Sequence, residues 1–347
     1  MTQKHFLVVG AGVAGISICK QFISRGHKIT LIDSGINRSS AVAAGLINPI
    51  VFRRMTKSWR VDEFLPEAIE FYTELGRVCN DTFLFPIQIR RLFSSEQERN
   101  FWLEKQEKDA FQEYLNPITE DDLSYDKAVN EFGTGRLKKG FYVSTSSFME
   151  KAKNWISQSG SVHCEKVDYA AIDPEKAAYK EIQYDGIVFC EGAEIHGNPW
   201  FKDLPVNDTK GETLTILSDE IPENESLNRK CFTLPMGNKE FRVGATYVWD
   251  TSDSELTEEG KKELQGMITY ATSASYTIID HKAGVRPTTL DRRPLMGSHF
   301  THEKLFVFNG LGTKGYLLAP LLAKEMIEFM LDGKILDKEV GLARTIK

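Results

Sequence analysis

The sequence predicts an α/β fold in which a nucleotide-binding domain is interrupted by an α+β, mostly antiparallel β-sheet domain. Three observations predict it. The apolar run His5–Val9 stops at Gly10-x-Gly12-x-x-Gly15, where a helical pattern begins at once, and the next apolar run, Lys28–Ile32, ends on Asp33. Near the C-terminus, the apolar run Leu305–Asn309 enters a glycine-rich turn and a second helical pattern over 319–331. The segments between are mostly short β-branched and aromatic runs. The expected division is 1–80, 140–210 and 280–347 for the nucleotide domain, and 81–139 and 211–279 for the substrate domain.

Each element follows from local chemistry. Gly10 permits the tight turn, Gly12 lets backbone approach a pyrophosphate, and Gly15 lets helix pack on strand. The N–H groups of the first helical turn, at Val13 and Ala14, and the positive end of the helix dipole suit phosphate. Asp33, followed by Ser34, can accept hydrogen bonds from a ribose diol and would repel an additional phosphate there. This Rossmann-like unit does not by itself separate FAD from NAD. Residues 39–49 are small and polar and read as a loop or helix start. Residues 58–78 carry helical spacing, 82–93 reads as a strand, and 95–108 as a helix capped at Ser94 or Ser95. Helix 144–159 follows a strand at 140–143, and 161–167, ending at Val167, reads as a strand. An Asp185-Gly186 turn predicts a hairpin between 179–184 and 186–189. Short strands are expected at 213–217, 231–235 and 241–244, and a helix at 256–274 with Leu256, Leu264, Met267 and Ile268 inward. The polar C-terminal tail is expected to fray.

At 347 residues, two domains are the prior. A net charge of −6 leaves no electrostatic footprint for nucleic acid or anionic membrane. The absence of an apolar run of about 18 residues predicts no membrane span. The N-terminus enters the first strand directly, so no signal peptide is expected. Five scattered cysteines without a CxxC pair read as reduced thiols, and a cytoplasmic protein is the expectation. The seven histidines show no metal-ligand spacing, so no metal site is expected.

Further motifs are Cys190-Glu191-Gly192, Lys210-Gly211-Glu212, Val243-Gly244-Ala245-Thr246, the segment 283–297 containing Gly284-Val285-Arg286-Pro287, and Asn309-Gly310-Leu311-Gly312-Thr313-Lys314-Gly315. Together with Gly10-x-Gly12-x-x-Gly15, they resemble the FAD-dependent D-amino acid oxidase superfamily from about residue 4 to 332. That superfamily includes glycine oxidase, sarcosine oxidase and the oxidase domain of the tRNA wobble-uridine modifying enzyme. The resemblance implies FAD. It also implies oxidation of a C–N bond in a small amine or amino acid, with hydride passing to flavin and hydrolysis of an imine. Oxygen or another acceptor would take the electrons. It assigns Arg286 to the substrate carboxylate, a role the guanidinium fork suits.

Ala43, Ala44, Gly45 and Leu46 would run along the flavin, with Asn48 near a ring heteroatom. Thr313 stands where glycine oxidase places another arginine, and the Gly-Thr-Lys-Gly turn is closer to the Gly-Ser-Arg-Gly of the wobble-uridine enzyme. Lys314 would face the flavin's pyrimidine end, and Tyr247, with Trp249, would wall the substrate pocket. Arg53, Arg54 and Lys57 read as a solvated face, and Arg292 and Arg293 as a solvated turn or partners of Asp291. The alternatives are a dehydrogenase with a non-oxygen acceptor, a wobble-uridine side-chain oxidase, and a non-catalytic flavin-binding protein. A flavin hydroxylase is disfavoured, because Asn309-Gly310-Leu311-Gly312 replaces its usual Gly-Asp-Ala segment.

Overall fold

A computed structural model describes residues 2–36, 39–118 and 125–345. Its first sheet has six strands in the order Ser161–His163, Lys28–Ile32, His5–Val9, Gly186–Phe189, Leu305–Asn309 and Leu295–Ser298. All neighbours pair in parallel except the last two. Side chains alternate across it. Phe6 and Val8 join a core with helices Val13–Ser24, Val61–Cys79 and Gly315–Asp332, while Leu7 and Val9 face a second core beneath a three-stranded meander at 172–183. Burial on both faces explains why these strands read as continuous apolar runs.

The second sheet has eight strands, one of them the long strand Thr277–Thr288 paired along Asn207–Leu217. Its pairings are antiparallel except that of Glu225–Arg229 with Gln88–Leu92. Strand periodicity sorts its two faces. Leu214 and Ile216 pack under helix Glu258–Ile268, whose Leu264 and Ile268 close that core. Gly211 and Thr213 face the opposite way, into a large cleft. Gly284 lies beside Gly211 and Arg286 beside Thr209, so the register turns Arg286 to the cleft.

Several local expectations are corrected. The 185–186 hairpin does not form, because Ile182–Gln183 pairs back onto Ala178–Tyr179. Asp185 instead accepts a 2.8 Å bond from the backbone N–H of His5, and the fully buried Gly186–Phe189 enters the parallel sheet. The run 82–93 is broken into Leu84–Pro86 and Gln88–Leu92. The strand at 161–167 stops at His163, and that at 213–217 extends back to Asn207. Glu225–Arg229 and Thr277–Thr288 are strands without an earlier counterpart. The helix at 256–274 shortens to Glu258–Ile268, leaving Leu256 53% exposed. The tail docks through buried Val340 and Leu342 rather than fraying. Ser95 caps its helix as expected, accepting from Glu98 N at 3.2 Å. No helix among the described residues is long and apolar enough to cross a membrane.

Candidate active site

The carboxyl ends of the parallel strands and the inner face of the second sheet enclose a cleft of about 1030 Å³. Of the site residues named from the sequence, all line it except Gly15 and Trp249. Gly15 acts one layer behind: a Cβ there would sit 1.8 Å from the Gly10 carbonyl oxygen. Gly10 has φ +97°, and a Cβ would meet the Cys190 carbonyl at 2.4 Å. These two glycines are required by backbone crossing backbone. Gly12 differs, because a Cβ there meets only Ser40 Oγ at 3.2 Å. Its missing side chain leaves room in the cleft.

At this end, Ser40 Oγ accepts from Val13 N at 3.1 Å. Asp33 accepts from Ala11 N at 3.1 Å and pairs with Lys153 Nζ at 2.7 Å. Lys153 comes from helix Thr145–Ser159, and no local signal links it to Asp33. Glu191 accepts from Tyr169 Oη at 2.6 Å and Asn198 Nδ2 at 2.7 Å. Withdrawal from water outweighs those bonds and pushes its carboxyl up to about 7.

The wall at 39–45 is held from behind. Tyr316 Oη donates to Ser40 O at 2.7 Å, Thr145 Oγ1 to Ala43 O at 3.2 Å, and buried Arg242 to the same carbonyl at 2.9 Å. Gly45 has φ +69° and passes so close to the Val143 carbonyl that a Cβ would lie 2.2 Å away. The turn after Leu305–Asn309 uses positive φ at Gly310 and Gly312, and Asn309 Nδ2 ties it to Gly192 O at 2.9 Å. Lys314 Nζ donates to Asn48 O at 3.3 Å and to Ser58 Oγ. Burial, then the nearby charge of Arg292, brings its ammonium down to about 8.

Arg286 is half-buried. Its Nη1 donates to Thr246 O at 3.3 Å, its guanidinium lies 5.5 Å from the centre of the Tyr247 ring, and it rests on Gly211. Trp249 stacks edge-on against Tyr247 at 5.3 Å but lies outside the cleft wall and is 40% exposed. Arg53 and Arg54 are exposed, and Lys57 pairs with Asp62. The Asp291 expectation is corrected. Asp291 pairs with Arg344, the Arg293 side chain pairs with Glu339 at 3.0 Å, and Arg292 lines the cleft.

The cleft fits FAD. It offers a glycine turn at a helix N-terminus, an acid at the end of the second strand, a Gly12 with no side chain to fill the cleft, and a small-residue wall at 43–45.

Comparison with known proteins agrees with this geometry. Residues 5–329 match the model of the DAO family, described as FAD dependent oxidoreductase. The chain is 23% identical over 355 residues to a glycine oxidase of Bacillus licheniformis, spanning 95% of this chain and 93% of that one. It is 22% identical over 359 residues to the tRNA 5-methylaminomethyl-2-thiouridine biosynthesis bifunctional protein of Idiomarina loihiensis, spanning 96% of this chain but 56% of that protein. The solved structure of a glycine oxidase from Bacillus cereus shares the fold, with a TM-score of 0.78 over 96% of each chain at 17% identity.

Proposed function

This chain belongs to the DAO family of FAD-dependent oxidoreductases, and from that premise we propose that it oxidises the C–N bond of an amino acid or N-substituted glycine. The observation that carries this reading is Arg286. Its guanidinium lines the cleft, partnered by a backbone carbonyl and the Tyr247 ring but by no carboxylate among the described residues. A carboxylate seated on that fork gains paired charge-assisted hydrogen bonds. Bound FAD would supply the acceptor for the hydride, which carries both electrons.

The protein's share is placement. Arg286 fixes the carboxylate so that the α-C–H is presented in one orientation, and Tyr247 walls the site. The amine binds neutral, and no side-chain base is required. We assign the phosphate and ribose end to Gly10, Gly12, Val13, Ala14, Asp33 and Ser34, with Val167, Glu191 and Gly192 beside them. The wall 43–48 and the turn 309–315 hold the ring end, where the cationic Lys314 suits the charge of a reduced ring. The two-domain division, a cytoplasmic setting and oxygen as electron acceptor belong to the same proposal. Five free cysteines support the setting.

A second reading is oxidation of an aminomethyl side chain on a tRNA uridine. The likeness to the bifunctional tRNA protein and the lysine in the Gly312-Thr313-Lys314-Gly315 turn favour it. Arg286→Ala separates substrate binding from cofactor binding. The variant is expected to keep FAD and lose turnover at low substrate, and wild-type kinetics in it would remove the carboxylate role.

A further inference from the structure

The charged lining of the cleft is uneven. The side formed by the parallel sheet and helix Thr145–Ser159 mixes the carboxylates Asp33, Glu150, Glu165, Glu191 and Glu194 with Lys153 and Lys166. The wall formed by the second sheet and the 291–315 segment contributes Arg286, Arg292, Arg293 and Lys314 and no Asp or Glu. Three of these four cations have a role or partner. Arg286 takes the substrate carboxylate in the reading above, Lys314 is held by Asn48 and Ser58, and Arg293 is paired with Glu339 and stacked on Trp59 at 4.5 Å.

Arg292 is left over. Its acidic neighbour Asp291 is taken by Arg344 and by the backbone N–H of Arg293 at 3.0 Å. Among the described residues no carboxylate pairs with the Arg292 guanidinium, whose charge is felt at Lys314. Two like charges on a wall that carries no acid repel until an anion arrives. The Arg292 backbone is also held at φ +59°, closing a turn through its N–H to Thr289 O at 3.0 Å. Glycine or asparagine adopts that conformation more easily.

We infer that Arg292 is a specificity-determining contact for a second anionic group, so that the substrate is an amine bearing a carboxylate at the reacting carbon and a further carboxylate or phosphate-type anion beyond it. The inference rests on the assignment of the first carboxylate to Arg286. A single carboxylate leaves Arg292 uncompensated, whereas a dianion engages both guanidinium groups. Because Arg292 is exposed, its effect is modest and sensitive to salt.

The test uses the FAD-loaded protein and anions that cannot be oxidised, read by perturbation of the flavin absorbance. Butyrate is compared with malonate, succinate, glutarate and 3-phosphonopropionate. At least one dianion is expected to bind about fivefold to tenfold tighter than butyrate, with the advantage shrinking as salt rises. The best chain length reads the spacing of the two sites, and carboxylate against phosphonate identifies the second anion. Arg292→Gln is expected to abolish the preference, and Arg292→Lys to keep part of it. Equal binding of butyrate and every dianion, a preference unchanged in Arg292→Gln, or loss of FAD from that variant would each overturn the inference. Failure of the underlying reading looks different: Arg286→Ala would then bind butyrate as the wild type does.

Discussion

Gly211→Ala tests whether the position of Arg286, and not its mere presence, controls the reaction. A Cβ at Gly211 would lie 2.0 Å from Arg286 Nη2 and 2.2 Å from its Cζ and Nη1. Ordinary contact begins near 3.4 Å, so the guanidinium must retreat by about 1.5 Å. It can do so, because it is the far end of a flexible side chain, and Gly211 is not among the positive-φ glycines, so the strand accepts alanine. The variant should therefore fold with a stability within about 1 kcal/mol of wild type and keep FAD. The proposed carboxylate anchor, however, moves by more than the roughly 1 Å displacement that costs about 10²-fold in a positioned reaction. The assay is the anaerobic rate of flavin reduction at subsaturating amine, beside Tm and FAD affinity. Reduction within twofold of the wild-type rate, in a folded and FAD-loaded variant, would refute the positioning argument.

Gly12→Ala adds a methyl group to the open cleft without backbone collision, so FAD affinity is expected to fall at least tenfold while the FAD-free Tm holds, as titration calorimetry and thermal unfolding will show. Lys314 has its ammonium lowered to about 8 from 10.5, so between those values the unfolded chain holds a proton that the folded chain has released. Stability of the FAD-free protein should accordingly gain from this residue as pH rises from about 8 to 10.5, and Lys314→Met should remove that gain, by about 2–4 °C in the Tm difference. Glu191 runs the other way. Its carboxyl is raised from 4.5 to about 7, so its contribution is present below 4.5 and is lost as pH rises through 7, and Glu191→Gln should flatten Tm between pH 5 and 8 relative to wild type.

The centre of the parallel sheet was legible because His5–Val9, Gly186–Phe189 and Leu305–Asn309 are buried and run into glycine-bearing turns, a pattern local to each segment. The cleft was legible through the same glycines, since Gly10, Gly192, Gly310 and Gly312 all take positive φ. The second sheet was harder. Asn207–Leu217 begins with Asn-Asp-Thr-Lys-Gly, which reads as loop, and it forms because Thr277–Thr288 pairs along its whole length some 70 residues later. The Lys210-Gly211-Glu212 motif is divided by strand alternation. Gly211 faces Arg286, while Glu212 turns to the other face, where it accepts from Thr257 Oγ1 at 2.6 Å at the start of helix Glu258–Ile268. Most partners that set the site's electrostatics are distant in sequence: Lys153 on Asp33, Tyr169 on Glu191, and Ser58 on Lys314. Asp185-Gly186 misled because a hairpin signal sat beside a strand whose full burial favours the parallel sheet.

The central claim, an FAD enzyme that oxidises amino acids held through Arg286, is tested most directly by anaerobic titration of the FAD-loaded protein with amino acids and N-alkyl amino acids. One class of amine is expected to bleach the oxidised flavin band, and Arg286→Ala is expected to lose that bleaching at low concentration. A bound flavin that no amine bleaches would contradict it.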